Sequence, residues 1–134
     1  MKLLFDSDSL SIEYSEERSL IRVVGKKESI DVPIEIGRKA FLAVAENVVK
    51  LKPDLLLVND SERTYVYAVE EQNWVAKVFI GACITGELKK MAFINPKGLI
   101  PELSTIQVID EGGDLPFEFR YVKTEEEAHY WFRE

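Results

Sequence analysis

Residues 52–60 read KPDLLLVND, and this stretch decides the fold. Its four consecutive large apolar residues, 55–58, lie between a proline and a polar cluster, which is typical of a β-strand buried on both faces. A strand of that kind needs cover above and below the sheet. The flanking segments 34–51 and 69–85 both have helical periodicity, so the sequence predicts alternating strands and helices around this strand.

The elements farther out predict a mixed β-sheet flanked by helices, in one α/β domain spanning residues 1–134. Alternation of apolar and polar residues predicts the strands at 10–14 and 117–121, and β-branched or continuous apolar residues predict those at 20–24 and 91–94. Thr124 with Glu127 forms a capping box at the start of a last helix. Residues 101–109 suit either a short helix or, at TIQVI, a strand. Their position between the strands at 91–94 and 117–121 favours the helix. The predicted elements are a β-hairpin at 10–14 and 20–24, strands at 91–94 and 117–121, a short helix at 101–109 and a last helix from 124.

Composition and charge exclude several classes of protein. The chain has 24 acidic and 17 basic residues, and its net charge of −7 disfavours nucleic acid and anionic lipid as partners. One cysteine allows neither an intramolecular disulfide nor a multi-thiolate metal site, and no apolar run reaches the length of a membrane span. We therefore expect a cytoplasmic protein without membrane insertion, metal or cofactor.

Few residues qualify for catalysis. His129 is the one histidine, and Glu125 and Glu126 lie within one turn of it, which predicts a raised proton affinity. A solvated or half-packed histidine is still favoured over a catalytic base. Cys83 falls in the apolar half of its helix and is predicted to be a buried, inert thiol. The glycines match neither dinucleotide-binding nor phosphate-loop spacing, so the sequence predicts no enzymatic activity.

The densest polar and aromatic cluster follows the central strand, in residues 59–67, which we call the rim loop. Ligands and partners of open sheets usually bind at the carboxyl ends of parallel strands, so this loop is the candidate rim for a partner or ligand. A loop capped by its own polar side chains is the alternative interpretation. The candidate rim residues are Asn59, Asp60, Ser61, Arg63, Tyr65 and Tyr67.

Several local patterns accompany the order of elements, namely Asn59-Asp60 with Arg63, Trp74, the MAFI of 91–94, and Glu127, Ala128 and Trp131. Together with that order, these patterns resemble those of the small bacterial STAS-like proteins. The resemblance implies a mixed sheet flanked by helices, no catalysis, and use as a protein-binding or ligand-binding module. In related anti-sigma-factor antagonists a phosphorylated serine switches partners. Ser61 lies in that region, but the glycine-rich switch sequence is absent, so Ser61 is predicted to be a structural turn residue.

Two functions therefore remain open, a regulatory protein-interaction module and a small-molecule or lipid binder. The second predicts an apolar cavity near Phe79, Ile84 and Phe93. The helix at 69–85 is apolar all round, so its second face needs cover from residues 99–109, from a second copy of the chain, or from another protein.

The same helix supplies the candidate interface of a homodimer or a complex, namely Trp74, Ile80 and Ile84.

In the preceding helix, Gly37 lies on the apolar side and is expected to permit a close approach to the sheet.

Overall fold

The computed structural model describes residues 1–27, 33–63, 69–96 and 115–134. Within these ranges six strands form one mixed sheet with helices on both sides, which confirms the predicted α/β fold. The predicted short helix at 101–109 lies outside the described residues. The strands are β1 Lys2–Asp6, β2 Leu10–Ser15, β3 Leu20–Gly25, β4 Leu55–Asn59, β5 Lys90–Ile94 and β6 Glu118–Val122. The helices are α1 Ile34–Leu51, α2 Val69–Val75, a π-helical segment Ala76–Ile80, α3 Gly81–Thr85 and α4 Glu125–Phe132.

The strands lie in the sheet in the same order as in the chain. The first three pair antiparallel, and β3 to β6 pair parallel. This arrangement places β4 between β3 and β5, with Leu57 paired to Arg22 on one side and to Ala92 on the other. The carboxyl ends of four parallel strands consequently meet at one edge of the sheet.

The two faces of the sheet carry separate cores, because successive side chains of a strand point to opposite faces. On the face covered by α1 and the helix that follows β4, the strands contribute Leu10, Ile12, Ile21, Val23, Leu56, Val58, Met91 and Phe93. On the other face, Leu20, Leu57, Ala92, Ile94 and Val122 pack against Ala128 and Trp131 of α4. The central strand is thus buried from both sides, as the four apolar residues of the sequence predict.

The glycine that permits close packing in the helical layer is Gly86 and not Gly37 as the sequence predicts. A Cβ on Gly37 would meet no atom within 4 Å, so this residue makes no close approach to the sheet. At Gly86, just after α3, a Cβ would lie 2.7 Å from the carbonyl oxygen of Val48. That carbonyl accepts the N–H of Lys52 at 3.0 Å and ends α1, which restricts its movement. The close approach therefore joins α1 to the end of α3.

The segment predicted as one helix at 69–85 contains a π-helical turn in its middle. A π-turn hydrogen-bonds residues five apart, so it brings Val75 and Ile80 to the same side, and both are only 3% exposed. Cys83 then continues the buried side. The extra residue of the turn therefore gathers apolar side chains toward the core, which reduces the surface that needs a second cover. Ile80 belongs to the core of the monomer and not to an exposed interface.

Substitution of Gly86 and Gly37 by alanine tests this packing. Gly86→Ala is expected to lower the free energy of unfolding by about 1–3 kcal/mol, because the new methyl group overlaps a fixed carbonyl. Gly37→Ala is the matched control, since it removes a helical glycine in open space and should raise the free energy by about 0.5–1 kcal/mol. Urea unfolding measures both. Effects of the same sign for the two variants would contradict the close approach at Gly86.

Candidate functional site

The carboxyl edge of the parallel strands holds the described part of the rim loop. Asn59 is the last residue of β4, and Asp60, Ser61 and Arg63 follow it directly. Tyr65 and Tyr67 lie outside the described residues. Asp60 and Arg63 are each only 6% exposed, whereas Ser61 is half-buried. The two charged residues of the predicted rim are thus turned into the protein.

Asp60 and Arg63 form a buried ion pair within the described part of the loop. Asp60 Oδ2 and Arg63 Nη1 are 3.3 Å apart, and the Arg63 N–H donates to the Asp60 carbonyl at 3.0 Å. Burial raises the pKa of Asp60, and the charge of Arg63 partly offsets this effect. A Cβ on Gly25 would lie 2.5 Å from Asp60 Oδ1, so only glycine leaves room for the carboxylate at the end of β3. Removing one partner would leave an uncompensated buried charge, which gives the pair a structural role.

Asn59 connects this turn to the C-terminal helix. Its Nδ2 donates to Glu125 Oε2 at 2.7 Å, and its Oδ1 accepts the N–H of Ser61 at 3.1 Å. Both ends of the side-chain amide are therefore occupied by protein groups. The backbone N–H of Ser61 takes part in this turn through its hydrogen bond to Asn59, which agrees with the predicted turn position of Ser61.

Glu125 is held by an arginine from the middle of the sheet. Arg22 donates to it twice, from Nε to Oε1 and from Nη2 to Oε2, each at 2.7 Å. The third nitrogen of Arg22, Nη1, donates to Glu13. The hydrogen bond from Arg22 lowers the pKa of Glu125, against the opposing effect of burial, and the hydrogen bond from Asn59 lowers it further. We call Glu13, Arg22, Asn59 and Glu125 the carboxylate clamp.

Sequence reasoning missed the clamp. The available signal was Arg22, a charged residue inside a strand that is otherwise apolar and centrally placed. An arginine in such a position needs a carboxylate partner. The partner came from a segment more than a hundred positions away in the chain, and no local pattern identifies a contact of that separation.

The start of α4 fixes where Glu125 lies. Thr124 Oγ1 accepts the N–H of Glu127 at 3.1 Å, as the capping pattern predicts. The Glu127 carboxylate accepts instead from the N–H of Lys123, one residue before the cap, at 3.0 Å. Farther along α4, Trp131 is buried, with Lys90 Nζ 5.1 Å from its ring centroid on the sheet side. The helix is thus attached through its first turn and through its tryptophan.

The two candidates for nucleophile or base are occupied or inert. Burial raises the pKa of Cys83 to about 12, so the thiol stays protonated at neutral pH. The prediction that His129 has a raised proton affinity is wrong. Burial and the charge of Arg18 lower its pKa, although Glu125 acts in the opposite direction. Arg18 Nη2 lies 2.9 Å from His129 Nδ1, a contact that favours the neutral ring with Nδ1 as acceptor.

The predicted interface and cavity residues separate in the structure. Trp74 is half-buried and its ring meets Phe41 edge-on, while Ile84 is 50% exposed on α3. Phe93 lies in the core, where its ring contacts those of Phe119 and Tyr121 with centroids 6.3 and 6.1 Å away. The predicted apolar cavity was expected beside Phe93, and the rings of Phe119 and Tyr121 lie next to that side chain.

Exposed apolar side chains occur instead on the outer surface of the helical layer. Leu42 and Val49 are 42% and 38% exposed, and they lie about two turns apart on one side of α1. α1 packs against α3, and Gly86 just after α3 lies against Val48 of α1. Ile84 is two residues before Gly86. We call Leu42, Val49 and Ile84 the helix patch.

A groove of about 340 Å³ lies on the opposite side of the sheet, and charged and aromatic residues line it. It lies between β6 and α4, and its lining includes Arg120, Glu126, Glu127 and Tyr130. In the part of the chain that the structure describes, no group of three or more histidine, cysteine or acidic residues is placed to hold a metal ion. Among those same residues, no helix has the length and apolar character of a membrane span.

Comparison with known proteins adds no family to this description. Protein-family models, curated proteins and solved structures gave no match to the chain. The STAS-like resemblance consequently stays a prediction from the residues quoted above.

The ion pair of Glu125 predicts a pH-dependent contribution to stability. Because its pKa in the folded state is below the ordinary value of 4.5, the contribution is complete above pH 4.5 and is lost as the pH falls through the folded pKa. Glu125→Gln should therefore lower the free energy of unfolding by about 1–2 kcal/mol at pH 7 and by less near pH 3. Urea unfolding across this pH range measures the difference.

The neighbouring exposed residue supplies the control for this measurement. Glu126→Gln changes the charge of the same helical turn by the same amount, without breaking a contact to Arg22. A loss of stability that is equal for the two variants, or equal at both pH values, would contradict the role of the clamp.

Proposed function

We propose that this chain is a non-enzymatic regulatory or protein-interaction module of STAS-like type, and that it binds its partner through the helix patch. The observation that carries the proposal is the exposure of Leu42, Val49 and Ile84 on two helices that pack against each other. Scattered apolar residues are ordinary on protein surfaces, whereas contiguous apolar patches are typical of interaction sites. That the three residues form one contiguous patch is part of the proposal, and the contact between α1 and α3 supports it.

The use of the titratable residues supports a role without catalysis. Cys83 is a buried thiol with a raised pKa, and His129 is held in its neutral form beside Arg18. The carboxylates of Glu125 and Asp60 are paired with arginines. Each of these groups is buried or paired with another protein group, whereas a catalytic group needs a free reactive atom facing a substrate.

The partner we propose is a protein, either a second copy of the chain or a different protein. The charged residues beside the patch include both signs, with Glu46 and Lys50 exposed on the same helix. A mixed border of this kind fits the polar rim of a protein interface. The free thiol of Cys83 is consistent with a reducing compartment, so we propose a cytoplasmic location.

Charged substitutions in the helix patch test the proposal. The double variant Leu42→Lys and Ile84→Lys should weaken partner binding or self-association at least about tenfold, because a lost apolar anchor costs more than 1 kcal/mol. The control is Tyr130→Lys on α4, since Tyr130 is 70% exposed and lies outside the patch.

Two measurements read the outcome. Sedimentation equilibrium measures self-association of each purified variant, and affinity capture from native lysate followed by titration measures a different protein partner. Partner binding that is equal in the wild type and the patch variant would contradict the helix patch as the contact surface. Unfolding curves of the double variant that match those of the wild type show that any loss of binding is not a loss of fold.

A further inference from the structure

We propose that the C-terminal helix α4 and the turn after β4 are conformationally coupled through the side chain of Asn59. This inference goes beyond the proposed function, because it concerns the carboxyl edge and the α4 face and not the helix patch. The structural basis is that one amide group is hydrogen-bonded to both segments, at Glu125 Oε2 and at the N–H of Ser61.

The amide of Asn59 has one orientation that satisfies both neighbours. The carboxylate of Glu125 only accepts, so it requires the NH₂ end of the amide. The backbone N–H of Ser61 only donates, so it requires the oxygen end. A flipped amide would place an acceptor against the carboxylate and a donor against the N–H at the same time. Each neighbour therefore stabilises the orientation that the other one needs.

On the α4 side, the hydrogen bond of Asn59 belongs to the carboxylate clamp. Glu125 also receives two hydrogen bonds from Arg22, and Arg22 in turn donates to Glu13 of β2. Detachment of the first turn of α4 would remove the carboxylate from all of these donors together. Asn59 would then lose the contact that orients its amide.

On the turn side, the contact of Asn59 lies at the start of the segment that holds the buried ion pair. The Ser61 N–H is followed within two residues by Arg63, whose backbone and side chain both contact Asp60. The Asp60 N–H in turn donates to the Ile94 carbonyl at 3.1 Å. A change in the turn, for instance by a protein that binds there, would consequently reach α4 through one side chain, and the effect is reciprocal by thermodynamic linkage.

Amide hydrogen exchange of the isolated protein tests the coupling. Glu125→Ala should accelerate exchange of the Ser61 N–H by about tenfold, within the range of about 5- to 150-fold that conformational coupling produces. Glu126→Ala is the matched control and should leave this exchange unchanged. The amides of β4, such as Leu57, report the overall stability of each variant.

The pattern of exchange separates the possible outcomes. Acceleration at Ser61 that exceeds the acceleration at Leu57 supports coupling through Asn59. An unchanged rate at Ser61, or equal acceleration at both positions, would overturn it, because the second result reflects only a general loss of stability. Asn59→Asp supplies a second arm, since it keeps an oxygen for the Ser61 N–H but places a carboxylate against Glu125.

The expectation for the second arm is specific. Exchange should accelerate at the Ala128 N–H, which donates to the Thr124 carbonyl in the first turn of α4. Exchange at Leu57 should change less. No partner is needed in either arm, so a failure of the coupling is distinguishable from a failure of the proposed binding function.

Discussion

The requirement that β4 be covered on both faces determines the rest of the structure. Leu56 and Val58 need the helical layer on one side, and Leu57 needs α4 on the other. Parallel pairing on both edges places this strand between β3 and β5, where its backbone is also fully paired. A helix at the end of the chain is thus part of the core and not an appendage.

Covering Leu57 with so short a helix requires polar contacts at its margin. α4 buries Ala128 and Trp131, and Glu125 anchors its first turn to two strands, through Arg22 of β3 and Asn59 of β4. Arg22 and Glu125 are used in the clamp, and Asp60 and Arg63 are used in the buried ion pair of the rim loop. Exposed apolar residues lie on the opposite side of the sheet, on α1 and α3.

The sequence predicts those elements that have a clear period or a clear cap, such as the helix at 34–51 and the one capped by Thr124. It does not predict the π-helical turn within 69–85. It does not predict which way a loop side chain points. Asp60 and Arg63 look like surface residues in the sequence, but both are buried, and Gly25 leaves the space for the Asp60 carboxylate. The π-turn and the approach at Gly86 also depend on contacts between distant segments. Burial and the charge of Arg18 lower the pKa of His129, and local sequence could predict neither of these two effects.

The free energy of unfolding of Leu57→Ala tests most directly that β4 is buried on both faces. Leu57 is fully buried beneath α4, so its truncation should lower this free energy by about 2–5 kcal/mol. Leu3→Ala in the edge strand β1, where the side chain is 58% exposed, should change it by no more than about 0.5 kcal/mol. A loss below about 1 kcal/mol for Leu57→Ala in urea unfolding would contradict the account, because a leucine beneath a docked helix cannot be removed at so small a cost.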